Sequence, residues 1–192
     1  MFSMPGRIDM DELVDAGIDG NEVKVCELLE AFANPNRPHY RTSWSPLAYA
    51  AQKGHSFIVQ QLLNHRAGPS WMARVSPLAE AAHVGQVDCV RRLLKANAPL
   101  DWPGEDGYAP LYSACAAAQI PCVKLLLSAK ADAEKRTQGR SMSLPPGSKP
   151  VQVSKPEKGV FFLTPLCVSS EKDQPELVKL LLKAKASVDL YV

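Results

Sequence analysis

The chain predicts an all-α solenoid, a row of stacked helix–turn–helix units. Three observations carry this. Pro-Leu pairs open short apolar stretches at 46, 77, 110 and 165. Small residues and a Val/Leu-rich stretch follow each pair in the same order, with a glycine between them at 54 and 85. The first two intervals, 31 and 33, fit a repeat of about 33 residues, and the third, 55, holds one repeat plus an insertion of 22.

The units can be taken in order. In the first, about 9–36, Asp9 or Asp11 can cap a helix that Gly20 closes, and Glu22–Ala31 supplies a second helix. Its Ala16, Gly20, Val25, Leu28 and Ala33 stand 34 residues ahead of Ala50, Gly54, Val59, Leu62 and Ala67. It lacks the Pro-Leu opening, as a terminal unit with a solvated outer face can. The second unit, about 40–70, is the reference copy. Pro46 stands where its missing N–H is no loss, and Gly54 ends the helix by accepting positive φ. The third unit (71–103) and the fourth (104–134) repeat it through Val90/Leu93/Leu94 and Val123/Leu126/Leu127. The fifth (160–190) does so through Leu177, Val178, Leu181 and Leu182. The insertion, 135–159, has six basic residues against Glu157, with four prolines and four serines, which predicts a disordered loop. One helix pair cannot bury its own apolar stripe, so 9–190 is expected to stack as a single domain.

Ser45–Ala67, reading SPLAYAAQKGHSFIVQQLLNHRA, resembles one ankyrin repeat, T-P-L-H-x-A-A-x-x-G-H-x-x-V-V-x-L-L-L-x-x-G-A. Two departures recur. The histidine after Pro-Leu is replaced by Ala48, Ala79, Tyr112 and Cys167. The glycine near the end of the second helix is replaced by Arg66, Asn97, Lys130 and Lys185. A long side chain in the left-handed region costs about 1 kcal/mol. Both departures lower the expected stability and leave the core positions intact.

Composition narrows function. A net charge of +2 over 192 residues gives no global reason to bind nucleic acid or an anionic membrane. The longest apolar runs are four or five residues, too short to span a bilayer, and the first residues lack the apolar core of a secretory signal. Five cysteines, an odd number without a CxxC pair, suit a reduced, intracellular chain, cytoplasmic or nuclear. Nucleophile elbows, HExxH helices, phosphate loops and Cys/His ligand spacings are missing, so neither enzyme nor metal site nor cofactor is expected. His55 reads as structural at the inter-helix turn, and His39 and His65 as surface residues.

The resemblance implies protein–protein binding, as an adaptor, scaffold or inhibitor, through hairpin tips and the exposed side of the first helices. It places the partner-binding residues at Arg41, Thr42, Trp44, Gln52 and Lys53 in the second unit. In the third they are Met72, Val75, His83 and Val84, and in the fourth Glu105, Asp106 and Tyr108. Trp44, Met72, Val75 and Tyr108 would form an apolar strip. Trp71 and Trp102 read as structural. Three rival readings are a targeting or regulatory fragment of a larger protein, an enzyme with a groove site, and nucleic-acid binding through the basic loop. The loop could also dock an acidic partner or be phosphorylated at Ser143, near Arg140. Leu180 on the last helix, with only Ser169 and Ser170 for polarity, suggests that a further repeat, a partner or self-association covers that end.

Overall fold

The structure is a computed structural model that describes residues 11–69, 75–104, 107–135 and 164–186. The insertion from 136 to 159, Trp71, Met72, Glu105, Asp106, Arg140 and Ser143 lie outside those residues. The described residues form ten α-helices and contain no strand. They run in pairs: α1 (Glu12–Asp19) and α2 (Glu22–Glu30), then α3 (Pro46–Lys53) and α4 (Ser56–Asn64). Next come α5 (Pro77–Val84) and α6 (Val87–Lys95), then α7 (Pro110–Ala116) and α8 (Ile120–Ser128). The last pair is α9 (Pro165–Glu171) and α10 (Pro175–Lys183).

Local chemistry fixes the starts. Pro46, Pro77, Pro110 and Pro165 stand in the first helical turn, where no N–H is needed. Ser45, Ser76 and Thr164 ahead of them accept the N–H of Ala48, Ala79 and Cys167 at 3.1, 3.3 and 3.3 Å. Ala109 holds that place in the fourth unit and offers no such bond. Asp11 precedes α1 but does not cap it with its side chain. Its carboxylate instead accepts the N–H of Tyr40 in the next unit at 3.3 Å.

The ends follow one rule. Behind each helix one residue takes positive φ, and the next N–H returns to a carbonyl five residues back. Ala67 to Leu62 (2.9 Å) and Gln86 to Ala81 (2.8 Å) are examples. All ten described helices end in this Schellman motif. Gly20, Gly54 and Gly85 supply the residue for three of them. Phe32, Arg66, Asn97, Ala118, Lys130, Asp173 and Lys185 supply it for the rest, at φ between 51° and 69°.

Packing makes two layers. The odd-numbered helices touch their odd neighbours and the even-numbered helices their even neighbours. One core runs the length of the stack. Leu47, Leu78, Leu111 and Leu166 fill the odd layer, and Val59, Val90 and Val123 meet Leu62, Leu93 and Leu126 in the even layer. Ala50/Ala51 and Ala81/Ala82 are fully buried, and such small residues let the odd helices approach more closely than the even ones. Unequal spacing curves a two-layer stack toward the tighter layer, so the odd helices line the inner face. Two details of the last pair differ from expectation. Ser169 is buried and donates to the Pro165 carbonyl at 2.7 Å, so it adds no outer polarity. Leu180 packs half-buried on the core, and the exposed leucine is Leu182, because it lies two residues, about 200°, further round the helix.

Candidate partner-binding surface

Most apolar side chains are consumed by stacking, so a binding surface must be made of what is left over. The residues left over lie at the turns between units, on the solvent side of the odd helices, and on the even helices, where Val23, Phe57 and Leu182 are exposed. The best-defined of these turns is 39–44, ahead of α3. The His39 N–H donates to the Trp44 carbonyl and the Ser43 N–H to the His39 carbonyl, both at 2.8 Å. Ser43 accepts a φ of 58° to close the turn. The Thr42 hydroxyl ties the turn to α3, accepting from the Tyr49 hydroxyl at 2.8 Å and from the Trp44 N–H at 3.3 Å. It also lies 3.3 Å from His39 Nδ1.

Rings fill the space around that hydroxyl. Trp44 and Tyr49 lie 5.0 Å apart between centroids, His39 and Tyr40 5.0 Å, and His39 meets Tyr49 edge-on at 6.3 Å. Arg41 holds its guanidinium 5.0 Å from the Tyr40 ring centroid. His39 is therefore a half-buried member of an aromatic cluster and not a plain surface residue. Tyr40, His39 and Tyr49 were missed in the sequence, where the signal was four rings within eleven positions.

The expected site residues divide. Arg41, Thr42, Lys53, His83 and Val84 are exposed. Gln52 is half-buried and donates to Glu80 at 2.9 Å, so it bridges two units. Trp44 and Tyr108 are half-buried, with Tyr108 stacked on Tyr112 at 5.3 Å. Val75 is only 4 % exposed, which corrects its placement in an apolar strip. It stands two residues before its Pro-Leu pair, as Trp44 and Tyr108 do, but its short side chain does not reach the surface. The strip is thus two separate aromatic platforms. Met72, Glu105 and Asp106 lie outside the described residues. Trp102 is half-buried.

His55 takes the structural place read for it. Its Nε2 lies 3.2 Å from the Ile18 carbonyl of the preceding unit. Gln86 and Gln119, at the equivalent positions, donate to the Gln52 and Val84 carbonyls at 3.5 and 3.4 Å. These side chains lie where a β-carbon on Gly20, Gly54 or Gly85 would stand. At the last junction Ala118 has that carbon, and Lys172 reaches the Ala116 carbonyl instead.

Little of this is reactive chemistry. Burial pushes the thiols of Cys89, Cys115 and Cys122 up to about 11, so they stay protonated at neutral pH. Among the described residues no group of three His, Cys, Asp or Glu side chains could hold a metal ion. No described helix is long and apolar enough to cross a membrane. A shallow cleft on the outer layer, between α4 and α6, is lined by Gln60, Asp88, Arg91, Arg92 and Lys95.

Comparison with family models decides the class. A model of three ankyrin-repeat copies matches residues 73–137, and a single ankyrin-repeat model matches 42–73. The chain is an ankyrin-repeat protein. Ankyrin repeats are general protein–protein interaction modules and are typically non-catalytic. No curated protein matches this ankyrin-repeat chain. The matches stop short of α1–α2 and α9–α10, pairs that share the helix pairing and endings of α3–α8.

Proposed function

We propose that the five helix pairs form one domain that binds a partner protein without catalysis, as an adaptor, scaffold or inhibitor. The contact surface is the inner face and the turn tips: Arg41, Thr42 and Trp44, then Lys53, His83 and Val84, then Tyr108. One observation carries this reading. Stacking buries the repeat's apolar positions, while Arg41 in the turn ahead of α3, Lys53 at the end of α3, and His83 and Val84 at the end of α5 stay exposed. Exposed side chains of mixed chemistry beside aromatic platforms suit a protein interface.

The test is site-directed photo-crosslinking. A photoreactive residue at Lys53 or His83 is expected to trap a partner, and one at Lys179 on the outer helix α10 is not. Adducts from position 179 alone would refute the inner-face assignment.

A further inference from the structure

We propose that the turn 39–44 anchors this surface and takes an extended acidic segment with a proline or aliphatic side chain beside its carboxylate. This rests on the reading that the inner face binds a protein, and it adds the chemistry of that partner.

The argument begins with Tyr40 and Arg41. Tyr40 is 67 % exposed, and Arg41 beside it is exposed as well. The Arg41 guanidinium is held against the Tyr40 ring, and no carboxylate among the described residues pairs with it. Asp11, the acid of this turn, accepts the Tyr40 N–H through Oδ1. Arg37, a second cation in the same segment, is also exposed and has no ion pair among the described residues. An unneutralised planar cation fixed on an aromatic face is complementary to a carboxylate that arrives next to an apolar group.

The shape of the turn selects the form of the ligand. Tyr40 stands exposed on a tight turn, and behind it His39 and Trp44 pack on Tyr49 of α3, so the turn presents a small aromatic surface and not a long groove. An extended chain lies across such a surface, and proline does so with the least loss of chain entropy. The turn itself is preorganised by its two cross-turn bonds and by the Thr42 hydroxyl. Little further ordering is needed on binding, and rigid rings are the efficient anchors.

Random dodecapeptides displayed on phage and selected on the full chain test this. Enriched peptides are expected to carry Asp or Glu next to Pro, Leu or Ile. The best of them, resynthesised with a fluorescein label, should lose about tenfold in affinity with Arg41→Gln and again with Tyr40→Ala. Both side chains are exposed, so the melting temperature should stay at its wild-type value, and Arg41→Lys should restore part of the binding. Changing the peptide's acid to its amide should cost nothing further on the Arg41→Gln background. Enriched peptides without an acid, affinity indifferent to both substitutions, or no enrichment at all would overturn the proposal. If peptides bind but respond only to His83→Ala or Val84→Ser, this chemistry fails and the protein-binding reading stands. If neither peptides nor inner-face crosslinks are obtained, both fail.

Discussion

Arg66 shows how a single residue carries both the family pattern and its departures. It sits at a φ of 65°, where the ankyrin pattern has glycine and where a β-branched or long side chain is strained. Its main-chain N–H bonds and its neighbour Ala67 complete the motif regardless. Replacing Arg66 with Gly relieves the strain but frees the unfolded chain, so the expected gain in urea unfolding is at most about 0.5 kcal/mol. A loss would mean that the exposed arginine makes a stabilising contact. The left-handed conformation at Arg66, Asn97, Lys130 and Lys185 was legible because the repeat register marks those positions. Phe32 obeys the same register, 34 residues ahead of Arg66, and was not noticed because its unit lacks the Pro-Leu opening. The aromatic cluster shows in the sequence only as four rings within eleven positions, without their arrangement. The sequence places Trp44 in a strip with Met72, Val75 and Tyr108, whereas its ring partner is Tyr49, because Thr42 ties the turn to Tyr49. A second prediction also belongs to residues. The buried Cys89, Cys115 and Cys122 thiols rise from the ordinary 9.0 to about 11, chiefly through desolvation. In the unfolded chain they ionise near the ordinary value, so between pH 9.0 and about 11 the unfolded state loses protons that the folded state keeps. Stability should therefore fall as pH rises through that window and be unaffected by these groups below it. Urea midpoints measured across the range check the sign.

At the scale of the element, each helix pair is positioned by a side chain from the next. Gln86 packs against Gly54, and Gln119 against Gly85, reaching the Gln52 and Val84 carbonyls. Gly85 holds a φ of 88°, and a β-carbon there would stand 2.3 Å from Gln119 Oε1. Gly85→Ala should thus cost about 1–3 kcal/mol, combining left-handed strain with the loss of the Gln119 bond. Adding Gln119→Ala should recover part of that cost, because the clash goes with the amide. Full additivity of the two losses would show that the amide does not occupy the glycine's space. The role of His55 at this junction was legible because the family pattern has histidine there. That glutamine does the same work in the next two units was not, since only the stacked backbones show which carbonyl it meets.

For the whole molecule, stacking and binding are separate tasks given to different residues. Core leucines, valines and alanines repeat at fixed offsets, so the fold class could be read from spacing alone. The surface could be read only as a zone. Val75 shares a register position with Trp44 and Tyr108 and yet is buried, because the length of a side chain, and not its place in the repeat, decides what reaches solvent. The most direct test of this division is partner binding by a chain carrying Arg41→Glu, Lys53→Glu and His83→Glu together. All three side chains are exposed, but Lys53 and His83 lie in last helical turns where a cation is favoured, so the urea unfolding free energy should fall by no more than about 2 kcal/mol while capture of the partner is lost. Undiminished capture by the stably folded triple variant would contradict the account.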